Sequence, residues 1–425
     1  MSSPRVARAT VTPILIADPP LLNVLGVHQP WAPRMVVELE TDDGVTGVGE
    51  TYGDSDYLAI AETLAERVVG EPLTALNRLP ALAGSAPAAE AIEHDPSGLR
   101  GARTTGKLVK SVVSAFEVAS LDALGHHTGL PVHALLGGKV RDRVEFSGYL
   151  FYRWAGHDAD DAPSDDWGEA VDPAGVVAQA ERMSRDHGFR SFKLKGGVFP
   201  PAEEVAAMHA LRDAFPDAPL RLDPNGGWSV EASLEVAREL DGVVEYLEDP
   251  TPGVEGMARV HRESGVPLAT NMLVTATEEI APAFAAGAVQ VVLSDHHYWG
   301  GLLATRDLDA ICRAHGVALS MHSNTHLGIS LAAMTHAAAV VDGLEHSCDT
   351  HRPWQVEDVI RDPHVFRDGE LEVPDGPGLG VELDRGALAR LHERWLERAD
   401  VRDRDDVAAM QRVVPDWKQP ALPRW

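Results

Sequence analysis

Six short strings carry the residues that could do chemistry. Phe192-Lys193-Leu194-Lys195 sets two lysines two positions apart, a spacing that points both ammonium groups to one face of a strand. Crowded cations lower each other's pKa, so the pair is expected to provide a lysine base near neutral pH. Leu222-Asp223-Pro224-Asn225 sends Asp223 and Asn225 to one side, Tyr246-Leu247-Glu248-Asp249-Pro250 adds carboxylates, and Thr270-Asn271-Met272 adds an amide oxygen. Carboxylate and amide oxygens make a hard-oxygen site that suits Mg2+, not the thiolate or imidazole set that suits Zn2+. Ser294-Asp295-His296-His297 and Met321-His322-Ser323-Asn324 complete the group. An Asp beside a His fixes the imidazole tautomer and raises its basicity, which makes a second general base. Each string also has a bland reading as a salt-bridged lysine, a cap or a structural histidine, the last weighty in a chain with 19 histidines. The combination is what favours chemistry.

Such groups need elements that bring them together. Arg34 to Glu50 alternates around Asp42-Asp43-Gly44, a hairpin signature. From Ile60 to Leu124 the apolar spacing becomes helical, with an end expected at Gly125, so the chain opens as a small α+β domain. Beyond Leu136-Gly137-Gly138 short apolar strands alternate with helical stretches: Val144–Tyr149, Phe189–Lys195, Leu220–Asp223, Val244–Glu248, Leu268–Asn271, Val289–Asp295, Ala318–His322 and Gly343–Ser347. This βα rhythm predicts an α/β fold with a (β/α)8 barrel, whose active site lies at the C-terminal strand ends. Asp158 to Asp172 reads as a solvated loop, and the chain after Glu382 as helix followed by a Pro-rich tail from Val414. The expected division is a capping domain over 1–135, the barrel over 136–385, and a C-terminal segment over 386–425 that packs back on the cap.

Composition narrows the partners. Lys+Arg 37 against Asp+Glu 65 gives a net charge of −28, which opposes binding to nucleic acid or an anionic membrane through the overall field. An anionic substrate must therefore be captured locally. Cys312 and Cys348 alone make no disulfide framework, and no apolar leader or spanning stretch is visible, so a cytoplasmic protein is expected.

The ordered strings resemble the enolase superfamily and, within it, the glucarate dehydratases. The resemblance rests on Val27-His28-Gln29-Pro30-Trp31, the Lys193/Lys195 pair, Asp223-Pro224-Asn225-Gly226, Glu248-Asp249-Pro250, Ala269-Thr270-Asn271-Met272, His322-Ser323-Asn324 and Asp349-Thr350-His351, and covers nearly the whole chain. It implies Lys195 as one base and His322 with Asp295 as the other, with Lys193 beside the substrate carboxylate, where it lowers the pKa of Lys195. It further implies Mg2+ on Asp223, Asn271 and either Glu248 or Glu255, and Asn225 bonded to substrate. His28, Thr104, Tyr149, Ser323, Asn324, His351 and Arg424 would contact a sugar diacid. The implied reaction is dehydration of D-glucarate to 5-keto-4-deoxy-D-glucarate, with L-idarate as a second substrate. Alternatives are another acid sugar such as galactarate, or a non-catalytic acid-sugar-binding homologue. The resemblance leaves room for a homo-oligomer.

Overall fold

A computed structural model describes residues 3–84, 105–158 and 162–425. β1 (Val6–Ala17), β2 (Trp31–Thr41) and β3 (Thr46–Tyr52) form an antiparallel sheet in that order. The expected hairpin is β2–β3, with Glu40 opposite Thr46. β1 is added to it by a register from Ala17–Trp31 to Val6–Thr41 that no local turn announces. α1 (Ser55–Val68) and α3 (Thr105–Thr128) pack against this sheet, α2 (Leu79–Gly84) lies on those two helices, and α4 (Val132–Leu135) follows. α3 runs through Gly125 rather than stopping there. A Cβ at Gly125 would lie 2.5 Å from the backbone of Gly378, so the glycine permits close approach of a distant loop and is not a helix stop.

The second unit is a closed parallel barrel. Its strands are β4 (Arg143–Phe151), β5 (Phe192–Lys195), β6 (Leu220–Asp223), β7 (Tyr246–Glu248), β8 (Leu268–Thr270), β9 (Val291–Ser294), β10 (Ala318–Met321) and β11 (Cys348–Thr350). β4 to β10 pair in sequence order, and β11 returns to β4. The eighth strand was expected at Gly343–Ser347. Instead the chain bridges β10 at Leu344 and pairs with β4 only from Cys348, so one connection touches both neighbours at different heights. Helices α5 (Pro173–His187), α6 (Pro201–Ala214), α7 (Val230–Glu239), α8 (Val254–Ser264), α9 (Thr277–Ala285), α10 (His296–Trp299) with α11 (Leu302–His315), and α12 (Gly328–Val340) fill the connections. β5 to β9 are buried along their whole length, as strands covered on both faces are.

After β11 the chain leaves the barrel ring. β12 (Glu370–Glu372) runs antiparallel to β4, α13 (Arg385–Glu397) packs on β1, and α14 (Asp406–Val413) follows. Within the acidic segment expected to be solvated, Asp165 instead receives both guanidinium nitrogens of the buried Arg153 at 2.8 Å. Among the described residues no helix is long and apolar enough to cross a membrane.

Candidate active site

Strand register assembles the first half of the site. Lys195 pairs with Asp223 across β5 and β6, and the alternation of the strand puts Lys193 on the same inner face two residues lower. Lys195 Nζ donates to Asp223 Oδ2 and Asn225 Oδ1, both at 2.6 Å. Lys193 Nζ lies 2.7 Å from Asp349 Oδ2, 2.5 Å from Glu248 Oε2 and 3.7 Å from Asp223 Oδ2. The expectation that the lysines depress each other fails for Lys193. Burial pulls its pKa down, but Asp349, Glu248 and Asp223 outweigh that and hold it above the ordinary lysine value. Lys193 is 0% exposed and lies beneath the cavity floor, tied to carboxylates that local sequence did not connect with it. The Tyr149 ring, on β4, covers both ammonium groups, with centroid distances of 4.6 Å to Lys193 and 5.9 Å to Lys195.

The oxygen ligands end β6, β7 and β8. Asp223, Glu248 and Asn271 are all buried. Asn271 Oδ1 and both Glu248 oxygens accept no hydrogen bond of good geometry. Glu248 Oε2 is at least ion-paired with Lys193, but buried acceptors with no donor, as Asn271 Oδ1 and Glu248 Oε1 are, are costly unless something else occupies them, and this hard-oxygen set suits a magnesium ion. Neighbouring Asp249 is spent otherwise: it accepts from Thr270 Oγ1 at 2.5 Å and from the amides of Asn271 and Met272 at 2.9 and 3.2 Å. Glu255 sits exposed in the first turn of α8.

Opposite stands the imidazole wall. His322 Nδ1 faces Asp295 Oδ2 at 3.4 Å. Burial first, and then His326, His297 and hydrogen bonds from His297 and His322, act on Asp295; the histidines win and hold it well below the usual carboxylate range. An ionised carboxylate only accepts, so Nδ1 of His322 carries the proton and Nε2 is left as the basic nitrogen. Burial lowers the pKa of His322, partly offset by the Asp295 bond, which keeps the ring neutral near neutral pH. Asp295, His296, His297 and His326 bring ligand atoms within 4.8 Å of one another. Both ring nitrogens of His297 are already engaged there, by Asp295 on one side and by the Glu50 carbonyl and Ser330 on the other.

A cavity opens between the two walls. Lys195, Tyr149, His322, Ser323, Asn324, His351 and His28 line it, joined by Asn23, Phe151 and Arg404, which sequence reasoning missed. Among the described residues no carboxylate is in this lining, in a chain of net charge −28. The cavity is thus a local cationic and hydrogen-bonding enclave, suited to an anion. Arg404 is held there by Asp18 at 3.2 Å and Asp406 at 3.1 Å, residues of the capping unit and of α14. The only sequence signal for it was an arginine inside the acidic run from Asp400 to Asp406, which reads as surface.

Other expected contacts lie elsewhere. Arg424 is outside the cavity lining: its guanidinium donates to Val198 O at 3.3 Å and stacks over Trp425 with a centroid distance of 4.6 Å. The tail is docked there, the amide of Arg424 donating to Gly227 O at 2.7 Å. Asn225, Lys193 and Asp295 support the walls from behind without lining the cavity. Thr104 falls outside the described residues.

Comparison with known proteins agrees with this layout. Residues 9–137 match the mandelate racemase / muconate lactonizing enzyme N-terminal domain, and 175–387 match the enolase C-terminal domain-like family. A probable glucarate dehydratase of Streptomyces coelicolor is 61% identical over 98% of this chain and 97% of its own. An enolase from Thermobispora bispora, crystallised with magnesium and formate, superposes with a TM-score of 0.95 at 52% identity, covering 100% of both chains. One from Pseudomonas fluorescens, with bound magnesium, potassium and tartrate, gives 0.96 at 46% identity, again over 100% of both.

Proposed function

The chain belongs to the enolase superfamily and is a carbon–oxygen hydro-lyase of the glucarate dehydratase type, and from that premise we propose that it dehydrates D-glucarate to 5-keto-4-deoxy-D-glucarate and also acts on L-idarate. The observation that carries the reading is the carboxylate-free cavity between Lys195 and His322, with Arg404 in its wall. In this reading one carboxylate of a diacid is directed to the metal held by Asp223, Glu248 and Asn271, which lie behind the lining, and the other to Arg404. Asp223, Glu248 and Asn271 would hold Mg2+, which when bound would supply Lewis-acid stabilisation of charge on the near carboxylate.

The protein's own groups do the rest. His322 Nε2 takes the proton from C5 on one face, and Lys195 Nζ serves the other face. Lys193 keeps its positive charge beneath the near carboxylate and opposes the accumulating negative charge. Loss of the 4-hydroxyl with a proton, as water, then forms the enol of the keto acid. Asn225 holds Lys195 in place at 2.6 Å. Glu248, not the exposed Glu255, is the proposed glutamate ligand, because it is buried beside the other two oxygen donors. Exchange of the α-proton in deuterated water, followed by NMR with both diacids, tests the two-base reading. A panel of acid sugars including galactarate, assayed for keto-acid formation, tests the substrate. Exchange of both diacids surviving in Lys195→Arg would overturn the base assignment, and faster turnover of galactarate would overturn the substrate.

A further inference from the structure

Asp295 is shared unevenly between the histidines around it. Its Oδ2 faces His322 Nδ1 and His326 Nε2, each at 3.4 Å, a distance at which hydrogen bonds are weak. Its Oδ1 is gripped more closely by His297, through the backbone amide and Nδ1, both at 2.9 Å. His297 is 0% exposed, and its remaining nitrogen lies 3.0 Å from the backbone carbonyl of Glu50 and 3.1 Å from Ser330 Oγ. Glu50 belongs to β3 of the capping unit. Its buried side chain, neutralised by Arg34 at 2.6 Å, accepts from the amides of Leu327 and Ser330 at 3.0 Å. Those amides open α12, immediately after the loop that carries His322, Ser323 and Asn324. One capping residue therefore anchors both the loop bearing the base and, through His297, the carboxylate that orients it. Among the described residues no such link joins the capping sheet to Lys195, whose hydrogen-bond partners are Asp223 and Asn225 inside the barrel.

We propose that His297 is a positioning residue for the His322 base, its Nδ1–H donating to Asp295 while its Nε2 accepts from Ser330, whose amide is held by Glu50 of the capping unit, and so sustaining proton transfer on one face of the substrate only. The proposal rests on the two-base reading above. The carboxylate that aligns a catalytic imidazole works through orientation and tautomer, and a group that fixes such a carboxylate acts one step further out. Without the His297 imidazole, Asp295 Oδ1 keeps only the backbone amide of residue 297, and His322 Nε2 loses part of its aim. Lys195 keeps both of its own partners.

The test compares His297→Asn and His297→Gln with His322→Asn and Lys195→Arg in the full-length protein with Mg2+, following α-proton exchange of D-glucarate and L-idarate separately. The base variants first define which diacid reports which face. If they do not split the two diacids, the two-base reading fails, whatever His297 does. If they do, the His297 variants are expected to reproduce the His322→Asn pattern in weaker form: a loss of about 10–100-fold on that face, the range for outer-shell partners, and less than about threefold on the Lys195 face. Ser330→Ala, which removes one partner of Nε2, should shift the same ratio in the same direction by a smaller factor and serves if the His297 variants do not fold. Equal losses on both faces would mean a merely structural role and overturn the proposal, as would an unchanged ratio in all three variants.

Discussion

The two walls of the cavity solve opposite problems. The lysine wall keeps charge in a buried place by pairing: Lys193 among Asp349, Glu248 and Asp223, and Lys195 against Asp223. The imidazole wall keeps charge out. Burial pushes His296 and His351 far below the ordinary histidine range and takes His326 down to about 4, with Asp295 as the one carboxylate among them. The lysine wall is therefore built to meet a cation and an anion together, and the imidazole wall to exchange a proton near neutral pH.

The largest expected effect breaks the lysine wall. Glu248→Gln removes a proposed metal ligand and one counter-charge of Lys193, and should lower turnover about 10⁴-fold, on the order of 5.5 kcal/mol of barrier. Calorimetric titration with Mg2+ should show the matching loss of binding, and full turnover in this variant would refute the ligand assignment. Next comes the other wall: His322→Asn should cost about 10³-fold in keto-acid formation, within the span for a general base, with little change in Mg2+ affinity. Loss of Mg2+ binding here would blur the division of labour.

Arg404→Ala should raise KM for a diacid about 10–100-fold, the worth of one or two charge-assisted hydrogen bonds of ~1.5–3 kcal/mol. Arg424→Ala, outside the cavity, should change KM less than about threefold. Equal effects would mean that the tail reaches the substrate.

The walls should also differ in acid. His326, in the imidazole wall, has its pKa lowered from 6.5 to about 4, burial being the first cause. Between those values the unfolded chain binds protons that the folded chain refuses, so stability falls as pH drops from 6.5 toward 4, by up to ~1.4 kcal/mol per pH unit per histidine. Urea midpoints at pH 7 and pH 5 measure this, and a higher midpoint at pH 5 would refute it. The smallest effect is Glu255→Gln, expected to alter Mg2+ affinity by less than about twofold by the same calorimetry.

The strand-end motifs were legible because period two and the barrel rule act locally. Lys193, Lys195, Asp223, Glu248 and Asn271 needed only their own strands to be aimed at one interior. The role of Asp349 was not legible. It reaches Lys193 across 156 residues of sequence, and the break of the eighth strand at Leu344 moved its pairing with β4 to Cys348. Arg404 was hidden for a related reason: its acidic neighbours suggest solvent, whereas its position is set by Asp18, 386 residues away. Arg424 is the opposite case: a short tail match says nothing of where the tail docks, and its amide is held by the Gly227 carbonyl, outside the cavity lining.

The sequence by itself determined the alternation of strand and helix, the chemistry of the strand ends and the acidity against which a diacid must be caught, all consequences of residue type and short-range geometry. Only the tertiary structure decided which carboxylates surround Lys193, which arginine enters the cavity and which histidine holds Asp295. Those contacts depend on closing the barrel and seating the capping unit on it, which brings together groups whose separation along the chain leaves no periodic trace.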